Sequence, residues 1–306
     1  MTGTGRALTV EAFAKVNRSL RVLGKRPDGF HELDTVFQTV DLTDEIHFFE
    51  GEERSGEVSL TIEGADLPVD GSNLILRAAA SLRERFRSRR GARIHLSKKI
   101  PVGGGMGGGS SNAASVLRGL AALWRLPATE DDLHAVAASL GADVPFFLLG
   151  GRARGRGRGE LLTPLPDGPE EWLILAFPPF SLSTAAVYGV FSASALTDSV
   201  AQTNLRGSDS GGGPDRNDLE PAAESLRREL RRLRLALSDH GATNARLSGS
   251  GSTVFGVFGD AESARRAFEG LAGLRKEMMA TMTIVKTVSK AAFARRAMPS
   301  VRAQRG

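Results

Sequence analysis

The sequence has no cysteine among its 306 residues. This absence excludes disulfides, thiolate metal sites and a cysteine nucleophile. Long apolar runs are also missing, since the longest candidate, residues 144–149, is far shorter than the roughly 20 residues that a membrane helix needs. The N-terminus lacks the basic and then apolar segments of a secretory signal. Together these absences predict a soluble, cytoplasmic protein without a membrane partner.

Acidic residues are in the minority, because 40 Lys and Arg stand against 35 Asp and Glu and give a formal net charge of +5. A basic surface suits nucleic acids, and it suits nucleotides or phosphorylated substrates equally well. The content of 41% apolar and 25% charged residues is typical of a globular protein. The chain is long enough for one large core or for two domains of ordinary size.

Hydrophobic periodicity predicts a mixture of strands and helices in the first half of the chain. The predicted strands are residues 8–22, 35–42, 45–49, 58–63 and 93–96, with a turn at Thr43 and Asp44 between the second and the third. The predicted helices are residues 73–86, 113–124 and 133–140. A capping box that starts at Thr129 opens the last of these helices, and Gly141 ends it.

The second half has a different order of elements, which predicts a separate domain. A strand at residues 172–177 is followed by a low-complexity segment, residues 207–214, that is typical of a flexible surface loop. The remaining predicted elements are a helix at 220–238, strands at 245–247 and 253–258, a helix at 260–274 and a strand at 283–288. This β-β-α-β order favours an antiparallel α+β domain of ferredoxin-like type.

The most informative segment contains six glycines among seven residues, 103–109, followed by Ser110, Ser111 and Asn112. Glycines let the backbone approach phosphate oxygens and direct N–H groups toward them. The helix that follows adds unpaired N–H donors and the positive end of its dipole, and the serine hydroxyls can bind phosphate or Mg²⁺. A flexible linker is the alternative, but linkers rarely join a strand to a sharply started helix.

Two common nucleotide motifs do not explain this glycine run. No lysine follows the glycines, so the ordinary P-loop pattern is absent. Gly103, Gly105 and Gly108 formally match the dinucleotide fingerprint, and acidic residues 130–132 follow about 20 residues further on. Those acids begin a helix, whereas a ribose-binding acid ends the second strand of a parallel βαβ unit. Protein-kinase signatures are missing as well.

Residues 101–114, with the pattern P-x-G-G-G-x-G-G-G-S-S-N-A-A, resemble the phosphate loop of the GHMP kinases. Further stretches resemble, in the same order, the branch of this family that phosphorylates a cytidine diphosphate-linked methylerythritol. These stretches are residues 14–17, 26–33, 140–146, 217–221 and 246–251. The resemblance covers nearly the whole chain, apart from the loop at residues 207–214 and the tail after residue 293.

This resemblance implies an α+β fold of two domains, residues 1–165 and residues 166–306. The first domain would bind ATP and resemble domain two of ribosomal protein S5, and the second would be ferredoxin-like and end in a basic tail. The implied reaction transfers the ATP γ-phosphate, with Mg²⁺, to the 2-hydroxyl of the cytidine-linked alcohol, a step of the non-mevalonate isoprenoid pathway. Another GHMP kinase, of the homoserine or mevalonate kinase type, is the alternative.

Two charged residues are the candidate catalytic pair. Asp143 follows the helix closed by Gly141 and matches the catalytic segment of the family, which implies a role as base for the acceptor hydroxyl. Lys15 lies in an otherwise apolar strand, where a buried cation needs a partner such as Asp143. Asn17 shares a face of the strand with Lys15 and could hydrogen-bond substrate hydroxyls. The alternatives are a plain helix-end Asp and a Lys that extends from a strand edge.

By resemblance, the cytosine pocket contains Phe30 against the face of the base and His31 hydrogen-bonded to it. Family members usually have Tyr where Phe30 stands, so a hydroxyl contact is lost here. Tyr188 is the candidate for a second stacking ring, and simple packing is an equal alternative. Gly249 and Gly251 would form a turn that faces the substrate diphosphate, with a plain hairpin turn as the alternative.

The resemblance also predicts the residues that bind ATP. Adenine would lie near Asn73 and Leu74 and near Lys98 or Lys99, which precede the glycine run, although a charged strand end also explains the lysines. The complete predicted set is Pro101, Gly103, Gly104, Gly105, Gly107, Gly108, Gly109, Ser110, Ser111, Asn112, Asn73 and Lys98.

A segment with four arginines, residues 151–159, departs from the family, in which this stretch is less basic. Its composition resembles RNA-binding Gly-Arg tracts, so a nucleic-acid-binding module is a further hypothesis. Its place between predicted strands favours a basic hairpin near the anionic ligands, and we do not expect a nucleic acid partner. The sequence leaves open whether the protein is a monomer or a homodimer.

Overall fold

The computed structural model describes residues 7–51, 56–198 and 216–301, so the predicted loop at residues 207–214 lies outside the described residues. In chain order the strands are β1 (Ala7–Lys25), β2 (His31–Glu50), β3 (Val58–Glu63), β4 (Ala92–Ser97), β5 (Arg152–Gly157), β6 (Leu161–Pro164), β7 (Trp172–Phe177), β8 (Asn244–Leu247), β9 (Val254–Phe258), β10 (Thr281–Lys286) and β11 (Ser300–Val301). The helices are α1 (Leu74–Phe86), α2 (Gly108–Leu123), α3 (Glu130–Leu140), α4 (Phe146–Leu149), α5 (Thr184–Asp198), α6 (Glu220–Leu226), α7 (Arg228–Asp239), α8 (Ala261–Gly270), α9 (Ala272–Glu277) and α10 (Lys290–Arg296).

The first sheet has the strand order β11-β1-β2-β4-β3, with β5 beside β2 and β6 beside β5. The pair β3 and β4 is parallel, and the other pairs are antiparallel. Alternate residues of β1, such as Leu8, Val10 and Ala12, face a core that the sheet shares with α1 to α4. The three predicted N-terminal helices correspond to α1, α2 and α3, and the capping box at Thr129 is confirmed.

β2 is one continuous strand, so the predicted turn at Thr43 and Asp44 is wrong. The irregularity is a bulge instead, because the pairing changes from Thr43 opposite Phe13 to Val40 opposite Ala14. A bulge bends a strand without ending it. The carboxylate of Asp44 is fully buried and accepts hydrogen bonds from the donors that surround it. Asp44 can therefore lie inside a strand, whereas the predicted turn would have exposed it to solvent.

The second sheet contains four antiparallel strands in the order β10-β7-β9-β8, which confirms the ferredoxin-like prediction. β7 is buried on both faces. Ile174 and Ala176 pack with α6, α7 and α8, whereas Leu173 and Leu175 pack against residues of the first sheet. Two-sided burial explains why β7 is a continuous apolar run in the sequence.

Two predicted helices of the second half are each divided. The helix predicted at residues 220–238 is α6 and α7, separated by Arg227 in an extended conformation with φ −146° and ψ 96°. This break lets Ala223 of α6 and Leu230 of α7 face the same core. The helix predicted at residues 260–274 ends at Gly270, and α9 begins after Leu271.

The end of the described chain returns to the first sheet. β11 pairs with β1, and the ring of Phe293 in α10 lies 5.3 Å from the ring of Phe13 in β1. Residues beyond the predicted domain boundary at residue 165 thus pack on the first sheet, and the boundary stays a prediction. Among the described residues, no helix is both long enough and apolar enough to cross a membrane.

Candidate active site

The glycine-rich loop makes a sharp connection between β4 and α2. Gly103, Gly105 and Gly107 have φ angles of +71°, +73° and +70°, which residues with side chains rarely adopt. A Cβ atom on Gly107 would lie 2.6 Å from Cζ of Phe147, so close approach also requires glycine there. Gly107 immediately precedes α2, whose first N–H groups have no partner within the helix. The loop therefore offers an anion site at this helix end.

A second glycine turn, residues 248–251, holds the loop from the other half of the chain. The hydroxyl of Ser248 donates to the carbonyl of Gly105 at 3.0 Å, and the N–H of Thr253 donates to the carbonyl of Gly104 at 3.1 Å. Gly249 in this turn has a φ of +59°. The glycine loop is thus fixed between the two halves of the protein.

A cavity of about 440 Å³ lies along the glycine loop. Every residue of the predicted ATP set lines this cavity except Ser111, which is 1% exposed. Asn73 and Lys98 line it with side chains that already have partners. Asn73 accepts from the N–H of Ile75 as the N-cap of α1, and the ammonium of Lys98 donates to the carboxylate of Asp44.

A second cavity, of about 810 Å³, lies on the other side of the loop. It is lined by the predicted residues Lys15, Asn17, Phe30, His31, Asp143, Tyr188 and Gly249. Gly251 is not brought to it and instead approaches Leu247. Gly105 and Gly107 line both cavities, so the glycine loop is their common wall.

The alternation of β1 positions the candidate catalytic lysine. Ala14 and Val16 face the second sheet, and Lys15 and Asn17 therefore point to the opposite face, at the second cavity. The ammonium of Lys15 donates to Oδ1 of Asn17 at 2.6 Å and lies 3.4 Å from Oδ2 of Asp143. The structure thus brings Asp143 to Lys15 and Asn17, from which it is far away in the sequence.

The two partners of this ion pair differ in exposure. The side chain of Lys15 is 4% exposed and lies over the ring of Phe37, whereas the side chain of Asp143 is 33% exposed. Asp143 lies in the short turn between α3 and α4. The side chain of Lys15 is therefore buried in the protein, whereas the carboxylate of Asp143 is accessible to a molecule in the second cavity.

Aromatic side chains line the far end of the second cavity. His31 stacks on Tyr188, with ring centroids 4.8 Å apart, and Nε2 of His31 lies 3.2 Å from the hydroxyl of Ser192. Phe30 is 54% exposed, and the guanidinium of Arg158 lies 5.0 Å from the centre of its ring. A flat, partly polar surface of this kind suits a nucleobase.

Burial changes the acidity of two groups at this end. It lowers the pKa of His31 below its usual value of 6.5, and the nearby charge of Lys25 lowers that pKa further. The neutral form of His31 is therefore favoured. Burial, together with the negative charge of Asp143, raises the pKa of Tyr188 to about 12. Tyr188 thus keeps its proton and remains a hydrogen-bond donor.

The arginine segment of residues 151–159 forms β5 and the turn toward β6, which agrees with the predicted hairpin. Its side chains diverge instead of forming one basic tract. Arg154 pairs with Asp34 on β2, whereas Arg158 lines the second cavity.

Three polar residues near the cavities were not singled out from the sequence. Arg158 had no assigned role, and Thr35, which accepts from the amide of Asn17 at 2.8 Å, looked like an ordinary strand residue. The sequence pattern predicts a turn at Asp44, where the structure has a strand. Its position in phase with the buried Ile46 was the available signal, because an acid on the core side of a strand needs partners.

A divalent cation would find few protein carboxylates at this site. The ranges that the structure describes contain no cluster of three or more His, Cys, Asp or Glu side chains able to hold a metal ion. The oxygen atoms near the loop that could bind a metal ion are the hydroxyl of Ser110, which lines the first cavity, and the carboxylate of Asp143, which lines the second. Such a set fits Mg²⁺, which is usually held by one or two carboxylates together with substrate phosphates.

Known proteins resemble the chain over most of its length. Two family models match, one described as GHMP kinases N terminal domain at residues 73–151 and one as GHMP kinases C terminal at residues 201–273. The 4-diphosphocytidyl-2-C-methyl-D-erythritol kinase of Pelotomaculum thermopropionicum is 41% identical over 282 residues, which cover 90% of this chain and 98% of that protein.

Solved structures agree with these sequence matches. A crystal structure of 4-(cytidine 5'-diphospho)-2C-methyl-D-erythritol kinase has a TM-score of 0.73 and 35% identity, and the match covers 91% of this chain and 98% of the other. A homoserine kinase from Cytophaga hutchinsonii has a TM-score of 0.72 and 19% identity, with 99% of both chains covered. At that identity the second likeness shows a shared fold alone.

Proposed function

The chain belongs to the GHMP kinase family, and from this premise we propose that it phosphorylates the 2-hydroxyl of 4-diphosphocytidyl-2-C-methyl-D-erythritol with ATP. It is an ATP-dependent small-molecule kinase, and relatives 36–45% identical over most of the chain carry the name of this activity. The product belongs to the non-mevalonate route to isoprenoid precursors.

One observation carries the proposal beyond the family resemblance. Gly105 and Gly107 line both cavities, so a triphosphate bound along the first cavity would end at the wall of the second. Lys15 and Asp143 line the second cavity together with Gly107. In-line phosphoryl transfer needs this order of donor phosphate, acceptor hydroxyl and base.

We assign the chemistry of the acceptor to the charged pair. Asp143, whose carboxylate is accessible from the cavity, accepts the proton of the acceptor hydroxyl. Lys15, 3.4 Å away, holds this carboxylate in position, and its charge favours the negative charge that develops on the transferred phosphoryl group. Asn17 fixes the ammonium of Lys15 through a 2.6 Å hydrogen bond.

The aromatic end of the second cavity is proposed to bind cytosine. Phe30 would contact the face of the base, and neutral His31 would hydrogen-bond its edge, with Tyr188 as the second aromatic wall. Arg158, above the ring of Phe30, adds positive charge on the path toward the substrate diphosphate. The mixture of exposed aromatic faces with few polar groups is typical of nucleobase sites.

The proposed cofactor is Mg²⁺, bound with the phosphates of ATP. It would neutralise the charge of the β- and γ-phosphates. Ser110, at the first turn of α2 and on the wall of the first cavity, would hold it through its hydroxyl.

A substrate panel tests the proposed activity. The purified protein is incubated with ATP, Mg²⁺ and either the cytidine-linked alcohol, free methylerythritol, homoserine or mevalonate, and ADP formation is measured. We expect turnover with the cytidine-linked alcohol, and phosphorus NMR should locate the new phosphate on the 2-hydroxyl. Comparable activity on homoserine, mevalonate or free methylerythritol would contradict the proposed acceptor.

The variant Asp143→Ala tests the proposed base. We expect kcat to fall by a factor of about 100 to 10,000, because positioned proton transfer contributes a factor of this size. Asp131→Ala is the matched control, since Asp131 is an exposed acid on α3 outside both cavities. Wild-type turnover in Asp143→Ala would exclude Asp143 as the base.

A further inference from the structure

Asp44 is a fully buried carboxylate with four hydrogen bonds in the structure. Oδ1 accepts from the backbone N–H groups of Lys99 at 2.7 Å and Ile100 at 2.8 Å. Oδ2 accepts from the ammonium of Lys98 at 2.7 Å and from the side-chain amide of Asn112 at 2.8 Å. A carboxylate with all its partners in place is well satisfied inside a protein.

These four donors lie at the two ends of the glycine loop. Lys98, Lys99 and Ile100 directly precede the loop, and Asn112 lies in the first turns of α2, directly after it. The loop itself consists mainly of glycine, which has no side chain to restrict its motion and loses much conformational freedom when it is ordered. The carboxylate of Asp44 therefore connects the beginning and the end of a loop whose own residues have few side chains to restrict its motion.

Lys98 gives this network its charge balance. Its side chain is 4% exposed, and its ammonium also donates to the carbonyl of Ile100 at 2.6 Å. Burial lowers the pKa of Lys98, and the adjacent charge of Asp44 opposes this effect. The ammonium lies close to the first residue of α2, since a Cβ atom on Gly108 would lie only 3.0 Å from Nζ of Lys98. Lys98 and Asn112, which both line the first cavity, are thus hydrogen-bonded to Asp44.

We propose that Asp44 is a positioning residue for ATP, which fixes both ends of the glycine loop through Asn112, Lys98 and two backbone N–H groups. The loop is then ordered before the triphosphate arrives, so little conformational entropy is lost on binding. This role rests on the use of ATP at this loop and does not depend on the identity of the acceptor. It assigns Lys98 and Asn112 to the support of the loop, where the sequence predicted direct ATP contacts.

The test uses the isosteric variant Asp44→Asn. The amide can keep Oδ1 against the two backbone N–H groups, but its NH₂ then faces the NH₂ of Asn112 and the ammonium of Lys98. We expect the dissociation constant of a non-hydrolysable ATP analogue, measured by calorimetry, to rise about tenfold to a hundredfold. The dissociation constant of the cytidine-linked alcohol should not change. An unchanged affinity for the ATP analogue would overturn the proposal.

A charge swap separates positioning from a merely structural role. In Asp44→Asn combined with Asn112→Asp, the new amide donates to the new carboxylate, Lys98 regains an anionic partner, and the total charge is unchanged. We expect this double variant to recover most of the lost ATP affinity. If Asn112 contacted phosphate directly, its replacement by Asp would repel the analogue, and the double variant would bind more weakly than Asp44→Asn. That result would also overturn the proposal.

Asp41→Asn is the matched control. Asp41 lies on the same strand and accepts from the backbone N–H of Lys286 at 2.8 Å, away from the loop, so its ATP affinity should equal that of the wild type. Circular dichroism establishes that each variant is folded. If Asp44→Asn does not fold, Asn112→Ala, which removes one bond at the far end of the loop, carries the test with a smaller expected loss of affinity. The affinity for the ATP analogue is measured without an acceptor. This test of Asp44 therefore stays valid even if the substrate panel contradicts the proposed acceptor.

Discussion

The polar residues of the second cavity depend on one another for their positions. Asn17 was predicted to contact substrate hydroxyls, yet both ends of its amide are engaged, one by the ammonium of Lys15 and the other by the hydroxyl of Thr35. Thr35 in turn donates to the carbonyl of Ser19 at 2.6 Å. This chain of hydrogen bonds holds Lys15 in one orientation, which a flexible lysine side chain could not maintain alone.

Phe30 offers a sharp test of base stacking at the level of a single residue. We expect Phe30→Ala to raise KM for the cytidine-linked substrate about five- to a hundredfold with little change in kcat, because stacking of a base on an aromatic ring contributes about 1–3 kcal/mol. Phe30→Tyr, which restores the hydroxyl usual in the family, should bind at least as well as the wild type. Steady-state kinetics check both variants.

Phe49 provides the matched control for this prediction. It is also an exposed phenylalanine, near the end of β2, with Arg93 5.7 Å from the centre of its ring, but it lies outside both cavities. Phe49→Ala should leave KM unchanged. An equal rise in KM for Phe49→Ala and Phe30→Ala would mean that the effect does not come from stacking.

His31 predicts the direction in which acid affects substrate binding. Its pKa is lowered in the folded protein, so the neutral form is favoured, and any stability that this contributes is present above the ordinary value of 6.5 and lost as the pH falls below it. Protonation also removes its ability to accept a hydrogen bond from cytosine. We expect KM for the cytidine-linked substrate to be constant at neutral pH and to rise on acidification.

The measurement is KM between about pH 5 and pH 8, the range in which histidine changes its charge. His31→Gln does not titrate in this range, so its KM should be higher at neutral pH and nearly independent of pH. A wild-type KM that falls on acidification would contradict the assignment of neutral His31 to the base.

Among the elements, α2 positions the proposed phosphate-binding loop. Its first turn follows the glycine loop, and its buried face packs against the first sheet through residues such as Val116 and Leu120. Gly119 permits this close packing, because a Cβ atom there would clash with the ring of Phe48 on β2. The helix therefore lies close to the sheet, and its N-terminus is held beside Lys15 and the second glycine turn.

We expect Gly119→Ala to lower the free energy of unfolding by about 1–3 kcal/mol through overpacking, which outweighs the better helix propensity of alanine. Gly189→Ala is the control. Gly189 is an exposed helical glycine in α5 with open space around it, so alanine there should stabilise the protein by about 0.5–1 kcal/mol. Urea unfolding measures both. Equal stabilisation by the two changes would show that α2 does not press against Phe48.

On the scale of the whole molecule, the C-terminal part of the described chain fastens onto the first sheet. Phe293 of α10 is 2% exposed and packs with Phe13, Val288 and Ala297 in a small core of their own. The guanidinium of Arg118, on α2, lies 5.8 Å from the centre of the Phe293 ring. Helix α10 thus connects β1 with the helix that follows the glycine loop.

Phe293→Ala should lower the free energy of unfolding by about 3–5 kcal/mol, because it leaves a cavity between α10 and β1. Met298→Ala, at a position that is 49% exposed, should change it by less than about 0.5 kcal/mol. Chemical denaturation compares the two. Similar small effects would mean that α10 contributes little to the stability of the first sheet.

Much of the fold was predictable because its signals are local. The strand at residues 172–177 and the capping box at Thr129 follow from apolar runs and cap chemistry that a few adjacent residues supply. The bulge in β2 and the break at Arg227 were not predictable. They depend on the pairing of β2 with β1 and on the core that α6 and α7 share, and distant residues form both.

The sequence by itself determined the family and predicted the phosphate-binding role of the glycine loop, since glycine spacing and short motifs are properties of consecutive residues. Only the tertiary structure decided which side chains remain available for ligands. It engages Lys98 and Asn112 with Asp44 and leaves the carboxylate of Asp143 accessible beside Lys15. The physical reason is that a buried polar group must find partners wherever the fold brings them, and these partners are far away in the chain.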